Sequence, residues 1–203
     1  DDKTACAYGM VENIDDNIQR IRDKLNLFNL SEDTLIIFLT DNGPNSWRYN
    51  GNMRGRKGHV HEGGARVPLF VTWPNHIEAE TFIEPIAAHI DIMPTLMDIC
   101  NIQMPANLAL DGVSLKPLLL GEPGDYAHMD RMLFTFRNDA SFSNDGAART
   151  QRWRGIYKAE DRSWALYDIQ RDPEEKTSPA PTFLPLCALP AAHPRCAGTG
   201  PSP

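Results

Sequence analysis

The chain has 203 residues, of which 41% are hydrophobic, so it can form one domain with a buried core and a small appendage, and it is not intrinsically disordered. Its formal net charge of -7 argues against general binding to nucleic acid, because phosphate contacts need clustered lysine and arginine. No apolar run approaches the roughly 20 residues needed to cross a bilayer, which excludes a membrane span.

The first predicted element is a helix that begins near Val11. Apolar residues recur at alternating spacings of three and four, which places them on one stripe of a helix. These residues are Val11, Ile14, Ile18, Ile21 and Leu25. We therefore expect the stripe to pack against another part of the fold.

Two short apolar runs predict buried strands. "TLIIFLT" (residues 34–40) is continuous and β-branched, which is typical of a central strand covered on both faces, and "VPLFVTW" (residues 67–73) is similar. The segment "HIDIMPTLMDIC" predicts a helix with Asp91 as its N-cap and Pro94 in its first turn. This alternation predicts an α/β fold with a mostly parallel sheet flanked by helices.

The later part of the chain has a different pattern. The runs "RMLFTF", "WRGIYKAE" and "WALYDI" are short and partly alternating, which predicts a small antiparallel sheet. We therefore expect an α/β domain in residues 1–125 and an antiparallel subdomain in residues 126–178. Residues 179–203 are rich in proline and alanine and predict an irregular tail.

Polar residues follow the first predicted strand directly. In open α/β sheets, ligands bind beyond the carboxyl ends of the strands, and Asp41 and Asn42 stand at that place. A carboxylate and an amide carbonyl are oxygen ligands that suit Ca²⁺ or Mg²⁺. The alternative is that Asp-Asn-Gly forms only a turn.

The next segment, "MRGRKGHVHEGGARVP", combines cations with glycines. Arg54, Arg56 and Lys57 could hold a tetrahedral oxyanion, because the glycines let the backbone come close to a ligand. His59 and His61 would share one face of an extended segment, where they could bind substrate or protonate a leaving group. The alternatives are a solvated basic loop and two packing histidines. For His89 and Asp91 we expect capping and packing.

Six segments, in order, resemble the sulfatases of the alkaline phosphatase superfamily, in particular the arylsulfatase-like enzymes. The segments are "YGMVENIDDNIQRIRDKL", "DTLIIFLTDNG", "MRGRKGHVHEGGARVPLFVTWP", "HIDIMPTLMDI", "LDGVSLKPLLLG" and "LYDIQRDPEEKT". They extend over residues 8–177. The resemblance implies the C-terminal part of an alkaline-phosphatase-like catalytic domain, followed by a small antiparallel subdomain.

The resemblance also implies roles for individual residues. Asp41 and Asn42 would be two ligands of a Ca²⁺ ion, and Lys57 would contact the substrate sulfate. Arg54, His59 and His61 are further candidates for substrate binding. The remaining matching residues would shape the loop, and they are Glu62, Gly63, Gly64 and Arg66. A pairing of Arg66 with Glu62 is one option.

The resemblance further implies a substrate that is a sulfate ester, either an aryl sulfate or a sulfated sugar. Members of the family are commonly secreted, periplasmic or lysosomal, but the chain opens with "DDKTACAYG", which is not a signal sequence. We expect the missing N-terminal half of the same domain to be this chain's partner.

The family's nucleophile is a formylglycine made from cysteine in C-x-P-S-R or C-x-A-x-R, and no such motif is present. The cysteines are Cys6, Cys100, Cys187 and Cys196, and none has zinc-ligand spacing; a disulfide between Cys187 and Cys196 is left open. Asp1 and Asp2 lack the apolar strand that precedes the family's Asp-Asp metal pair. We therefore expect the isolated chain to be an inactive fragment.

Two other functions stay open. One is a phosphate or phosphonate ester hydrolase of the same superfamily, against which Asn42 counts, because many zinc phosphatases there have histidine. The other is a non-catalytic binding module, which fits the missing nucleophile. Such a module would expose the edge of "TLIIFLT" unless another chain covered it.

Overall fold

The computed structural model describes residues 2–105, 107–122, 131–137 and 145–177. The helices are α1 (Asp2–Leu27), α2 (Glu62–Ala65), α3 (Ile92–Ile99) and α4 (Lys116–Leu119), with a 3₁₀ turn at His89–Asp91 before α3. The strands are β1 (Ile36–Leu39), β2 (Leu69–Thr72), β3 (Leu133–Phe136), β4 (Gly146–Arg149), β5 (Trp153–Lys158) and β6 (Ser163–Asp168). No helix in these ranges is long and apolar enough to cross a membrane.

Helix α1 is longer than the sequence predicts, and most of its apolar stripe is exposed. It ends with Lys24 in the last turn, and Asn29 just beyond has a φ of 54°, a left-handed conformation common after helix ends. Val11 and Ile21 are 56% and 57% exposed. The expectation that the stripe packs against the fold is therefore wrong for the described part of the chain.

Strands β1 and β2 pair antiparallel, from Ile36 opposite Thr72 to Leu39 opposite Leu69. A parallel pair needs a crossover connection, usually a long helix, but between these strands the chain forms only the four-residue helix α2 and turns back. The fold class is α/β as predicted, yet no parallel pair occurs among the described strands. Strand β1 is half-buried along its length rather than fully covered.

Helix α3 begins directly after Asp91, as predicted, but the Asp91 carboxylate does not cap that helix. It is fully buried and accepts hydrogen bonds from the backbone N–H groups of Ala88 (2.7 Å) and Val113 (3.0 Å). The Arg131 guanidinium donates to both of its oxygens. Asp91 therefore connects the start of α3 to the loop before α4 and to the segment before β3.

The antiparallel sheet has the order β3-β4-β5-β6 and confirms the predicted meander. Three of its strands were predicted, whereas β4 was missed because "GAAR" has no β-branched or aromatic residue. The predicted boundary between residues 125 and 126 and the predicted tail lie outside the described residues. The division into domains therefore stays a prediction.

One core cluster joins the antiparallel sheet to the polar loop between β1 and β2. Ile156 is completely buried at its centre, next to Ala147, Tyr167 and Ile169. Val60, from the loop, completes the same cluster and is 3% exposed. The glycine-rich loop is thus packed into the core of the sheet.

Glycines in this loop allow segments of backbone to approach one another. A Cβ on Gly64 would clash with the carbonyl oxygen of His59 and lie 2.6 Å from that of Arg56. A Cβ on Gly43 would clash with Gly63, and the Gly43 N–H donates to the Gly64 oxygen at 3.0 Å. These glycines let the loop pack closely on itself, whereas the sequence predicted that they let the backbone approach a ligand.

We predict that Gly64→Ala lowers the free energy of unfolding by at least about 2 kcal/mol, because backbone must move to admit the methyl group. Gly9→Ala is the matched control: nothing lies within 4 Å of its added Cβ in α1, and alanine should stabilise that helix by about 0.5–1 kcal/mol. Urea unfolding curves measure both changes. Equal stability of the two variants would contradict the packing assigned to Gly64.

Candidate active site

A cleft with a volume of about 270 Å³ opens between the polar loop and the antiparallel sheet. One wall comes from the end of β1, the loop and the turn before α3, and the other comes from the end of β3. Its lining residues are Asp41, Asn42, Gly58, His59, Val60, Gly64, Ala65, His89, Thr135, Phe136 and Arg137. The cleft therefore brings together three of the predicted site residues, Asp41, Asn42 and His59.

Asp41 and Asn42 lie just beyond β1, where His89 fixes the end of the strand through a 2.8 Å hydrogen bond from its Nε2 to the Thr40 oxygen. Neither the Asp41 nor the Asn42 side chain has a hydrogen-bond partner among the described residues, so their oxygens are available to a cation. The donor chemistry fits Ca²⁺, which takes six to eight oxygen ligands. The described part of the chain holds no group of three or more His, Cys, Asp or Glu residues that could bind a metal. Asp41 and Asn42 would thus be only part of a coordination sphere.

His59 is held in one tautomer when neutral. The Arg56 backbone N–H donates to its Nδ1 at 3.1 Å, so the proton of the neutral ring sits on Nε2. Burial lowers the pKa of His59 below 6.5, and the charges of His61, Arg56, Arg137 and Lys158 lower it further. At neutral pH, His59 is therefore a hydrogen-bond donor in the cleft rather than an acid.

Lys57 and Arg56 do not line the cleft. Lys57 is exposed, and its backbone N–H donates to the Pro44 oxygen at 2.9 Å, which ties the loop to the segment after Asn42. The Arg56 guanidinium lies 5.3 Å from the centre of the Trp47 ring and donates to the Asn45 oxygen at 2.8 Å. The sulfate contact of Lys57 therefore stays a prediction, and Arg56 helps to fold the loop.

His61 and Arg54 point to the antiparallel sheet. His61 is 6% exposed, and its Nδ1 lies 2.7 Å from the Glu175 carboxylate. Arg54 donates to the Tyr167 hydroxyl at 3.0 Å. Neither residue lines the cleft, so a direct substrate contact is not what this geometry favours for them.

A buried ion cluster, made of His61, Glu62, Arg149, Arg154 and Glu175, holds the loop to the sheet. Glu62 lies 2.9 Å from Arg149 and 2.6 Å from Arg154, so Glu62 pairs with these two arginines and not with Arg66, the option raised from the sequence. Glu175 lies 3.3 Å from Arg154. Burial lowers the pKa of Arg154, and the two carboxylates oppose this effect.

Most of this cluster, and Arg137, were not predicted from the sequence. One signal was available: Arg154 and Ile156 alternate in β5, so they share the inward face of the strand, and an arginine there requires a buried partner. Glu175 lies within a motif already used for the resemblance, but nothing in its spacing indicated burial. Arg137, directly after β3, belongs to no sequence motif that could have indicated a role for it.

We predict that Glu175→Gln lowers the free energy of unfolding by about 3–5 kcal/mol, because it leaves Arg154 with one buried carboxylate fewer. Glu174→Gln is the matched control, since Glu174 pairs with the exposed Lys176 at the surface and such pairs contribute about 0–1 kcal/mol. Thermal unfolding of both variants makes the comparison. A small effect at both positions would mean that the cluster does not hold the loop.

We predict that the ring of His59 titrates below pH 6.5 in the folded protein, as measured by NMR and assigned with His59→Gln. Because the pKa is lowered on folding, the contribution of His59 to stability is fully present above pH 6.5 and is lost as the pH falls through the folded pKa. Arg137→Gln should raise this pKa, because it removes one of the neighbouring charges. A wild-type midpoint at or above 6.5 would contradict the neutral donor.

Two family models match the chain. The model described as N-sulphoglucosamine sulphohydrolase, C-terminal, matches residues 55–182, which is more than half of the chain, and the model described as sulfatase matches residues 2–102. Both matches contain the part of the loop from residue 55 onwards, and only the second contains Asp41 and Asn42. The match to a C-terminal model over the later residues agrees with the prediction that the chain is the C-terminal portion of a sulfatase.

Similar proteins include several sulfatases. Human arylsulfatase A is 42% identical over 97 residues, which are 45% of this chain and 19% of that protein. Rat steryl-sulfatase is 33% identical over 164 residues, 75% of this chain and 28% of that protein. Choline-sulfatase of Rhizobium meliloti is 29% identical over 177 residues, 84% of this chain and 32% of that protein.

Solved structures share the fold. BT4656, solved in complex with its substrate D-glucosamine-2-N,6-O-disulfate, has a TM-score of 0.69 and 25% identity, over 83% of this chain and 34% of that one. A phosphonate monoester hydrolase from Silicibacter pomeroyi has a TM-score of 0.60 and 25% identity, over 77% of this chain and 33% of that one. The chain thus spans between 19% and 34% of the length of these relatives. The matching models, the ordered motifs and the shared fold together show that the chain belongs to the sulfatase family.

Proposed function

We propose that this chain forms the C-terminal side of the active site of an enzyme that hydrolyses sulfate esters. The proposal rests mainly on the cleft, which Asp41, Asn42 and His59 all line. Lys57 lies two residues before His59 in the chain. Oxygen atoms that can bind a cation, a neutral hydrogen-bond donor and a lysine two residues before it in the chain provide the groups that would bind a tetrahedral sulfate.

Hydrolysis of a sulfate ester replaces the sulfur–oxygen bond of the leaving alcohol with a bond to the attacking oxygen, and negative charge develops on the leaving oxygen and is shared with the other oxygens of the sulfate. His59 would donate its Nε2–H to one of these oxygens, in an orientation fixed by the Arg56 backbone N–H. Lys57 would place its ammonium group on another. A Ca²⁺ ion held in part by Asp41 and Asn42 would add positive charge at the same oxygens.

The remaining predicted residues would position the loop. Arg54 and His61 anchor it to Tyr167 and Glu175, so they would act on substrate only through the placement of Lys57 and His59. None of the four cysteines stands in a formylglycine motif, and we propose that the nucleophile and the other metal ligands are supplied from outside these 203 residues. The isolated chain would then bind sulfate esters without turning them over.

We propose a sulfated sugar as the substrate class. The matching C-terminal family model is that of N-sulphoglucosamine sulphohydrolase, and BT4656 was solved with a disulfated glucosamine. Trp47 and Tyr49 are 71% and 77% exposed in the loop, where their rings could stack on a sugar. By family resemblance, such an enzyme would act outside the cytoplasm, in the periplasm, a lysosome or the secreted fraction.

A phosphonate ester hydrolase is the second candidate, supported by the similarity to the enzyme from Silicibacter pomeroyi. Asn42 favours the sulfatase, as a neutral oxygen ligand suits Ca²⁺ better than the ions that histidine binds. The ratio of turnover of nitrophenyl sulfate to that of a nitrophenyl phosphonate ester separates the two functions in the full-length protein.

We predict that Lys57→Ala in the full-length protein lowers kcat/KM for nitrophenyl sulfate by about 10²–10³-fold, because one charged group on the sulfate oxygens is removed. Lys24→Ala is the control, because Lys24 lies in the last turn of α1, outside the lining of the cleft, and should leave kcat/KM unchanged. An unchanged kcat/KM in Lys57→Ala would remove the sulfate contact from the proposal.

A further inference from the structure

One side chain in the cleft is aromatic and has no part in the proposed binding of sulfate. Phe136 is the last residue of β3 and lines the cleft, and its side chain is 76% exposed. A phenyl ring offers a sulfate oxygen neither a positive charge nor a hydrogen-bond donor. In ligand sites, apolar and aromatic side chains line the walls, and a few polar groups fix the orientation of the ligand. Phe136 therefore suits an apolar part of the ligand.

The sheet holds the ring of Phe136 in place. Phe136 stands opposite Gly146 of β4, and a Cβ on Gly146 would lie 3.2 Å from two carbons of the ring, closer than ordinary van der Waals contact. The absence of a side chain at Gly146 thus lets the ring lie close to β4. The ring of Phe134, on the same side of β3, is nearly parallel to it, with 6.4 Å between the ring centres and 11° between the planes. The ring is therefore supported by its neighbours while most of its surface stays exposed.

Aromatic surface adjoins the cleft from the polar loop as well. The ring centre of Trp47 lies 6.2 Å from that of His59, which lines the cleft. The Arg56 guanidinium lies over the Trp47 ring and donates to the Asn45 oxygen, so the position of this ring is also supported. The loop and the sheet thus each bring an aromatic ring to the site that contains Asp41.

A sulfate ester has two parts, the charged sulfate and the alcohol, and the polar groups of the cleft serve only the sulfate. The ring of an alcohol, whether a sugar or an aryl group, has an apolar face. Such a face stacks on a supported aromatic ring because both surfaces leave water together.

We propose that Phe136 is a specificity-determining residue that stacks on the ring of the alcohol part of the substrate, next to the sulfate that is hydrolysed. This inference rests on the proposed function, and it adds a subsite for the alcohol to the groups that bind the sulfate. Because the ring is supported before substrate binds, the contact costs little ordering of the side chain.

The test compares three sulfate esters in the full-length protein. N-acetylglucosamine 6-O-sulfate carries a sugar ring, nitrophenyl sulfate an aryl ring and ethyl sulfate no ring. Ethyl sulfate is an ester of a primary alcohol, as the sugar sulfate is, and its inhibition constant against a ring-bearing substrate measures its binding whether or not it is hydrolysed. The variants are Phe136→Ala and Phe136→Leu, which keeps an apolar side chain without a flat ring. Phe134→Ala is the matched control, because Phe134 is exposed on the same side of β3 but does not line the cleft.

We predict that Phe136→Ala raises KM for the ring-bearing substrates by about 5- to 30-fold, the loss expected for an aromatic stacking contact. The value of kcat should stay unchanged, because the contact is made equally by the bound substrate and by the transition state. The inhibition constant of ethyl sulfate should also stay unchanged. Phe136→Leu should give an intermediate KM, and Phe134→Ala should keep KM close to the wild-type value. The substrate with the larger rise identifies the ring as a sugar or an aryl group.

An equal weakening of ethyl sulfate and of the ring-bearing substrates, or no rise in KM for any of them, overturns the proposal. Equal losses of thermal stability in Phe136→Ala and Phe134→Ala, with no selective rise in KM, would instead mean that both rings serve packing in the full-length protein. If Phe136→Ala does not fold, Phe136→Leu decides by the same comparison.

The proposed function fails separately if the wild type hydrolyses no sulfate ester. Equilibrium binding of N-acetylglucosamine 6-O-sulfate and of ethyl sulfate then decides between the outcomes for Phe136. A wild-type preference for the sugar sulfate that is lost in Phe136→Ala supports the subsite for the ring. Equal affinity of the wild type for the two esters, or a preference that the variant retains, overturns it.

Discussion

The structure depends on one buried arrangement of charges, in which Glu62 and Glu175 share Arg154 beneath the polar loop. Glu62, Arg154 and Glu175 are each at most 2% exposed, so the desolvation of any one of them is unfavourable unless the others are in place. Glu62 comes from the loop, Arg154 from β5, and Glu175 from the segment after β6. The loop can therefore adopt its conformation only when the antiparallel sheet has formed.

This dependence on the sheet explains why the polar loop has a defined conformation. Val60, next to His61, packs into the core of the sheet. The glycines before and after it let separate segments of the loop's backbone come within hydrogen-bonding distance of one another. His59 is then fixed between an anchored neighbour and the Arg56 N–H, which orients its ring towards the cleft. A site residue on an otherwise flexible, glycine-rich segment gains a defined position in this way.

The two parts of the chain contribute different chemistry to the cleft. The end of β1 places Asp41 and Asn42 at the cleft, the loop places His59 there, and the sheet places Arg137 there. Because the sheet and the loop are joined by the ion cluster and by a shared core, the distance between Arg137 and His59 is set by packing. The sheet and the loop therefore meet at the cleft in a fixed arrangement.

The sequence by itself determined the elements whose signals are local: the helix before β1, the two apolar strands, the helix after Asp91 and three strands of the meander. It also determined the family, because the motifs are specific in their order, and it indicated Asp41, Asn42 and His59 as site residues. Only the tertiary structure decided that β1 and β2 pair antiparallel, that His61 faces Glu175 and that Arg137 reaches the cleft. The reason is physical: Glu62 and Arg154 are 92 residues apart, and the cost of burying a charge is decided by such distant partners, which no local spacing encodes.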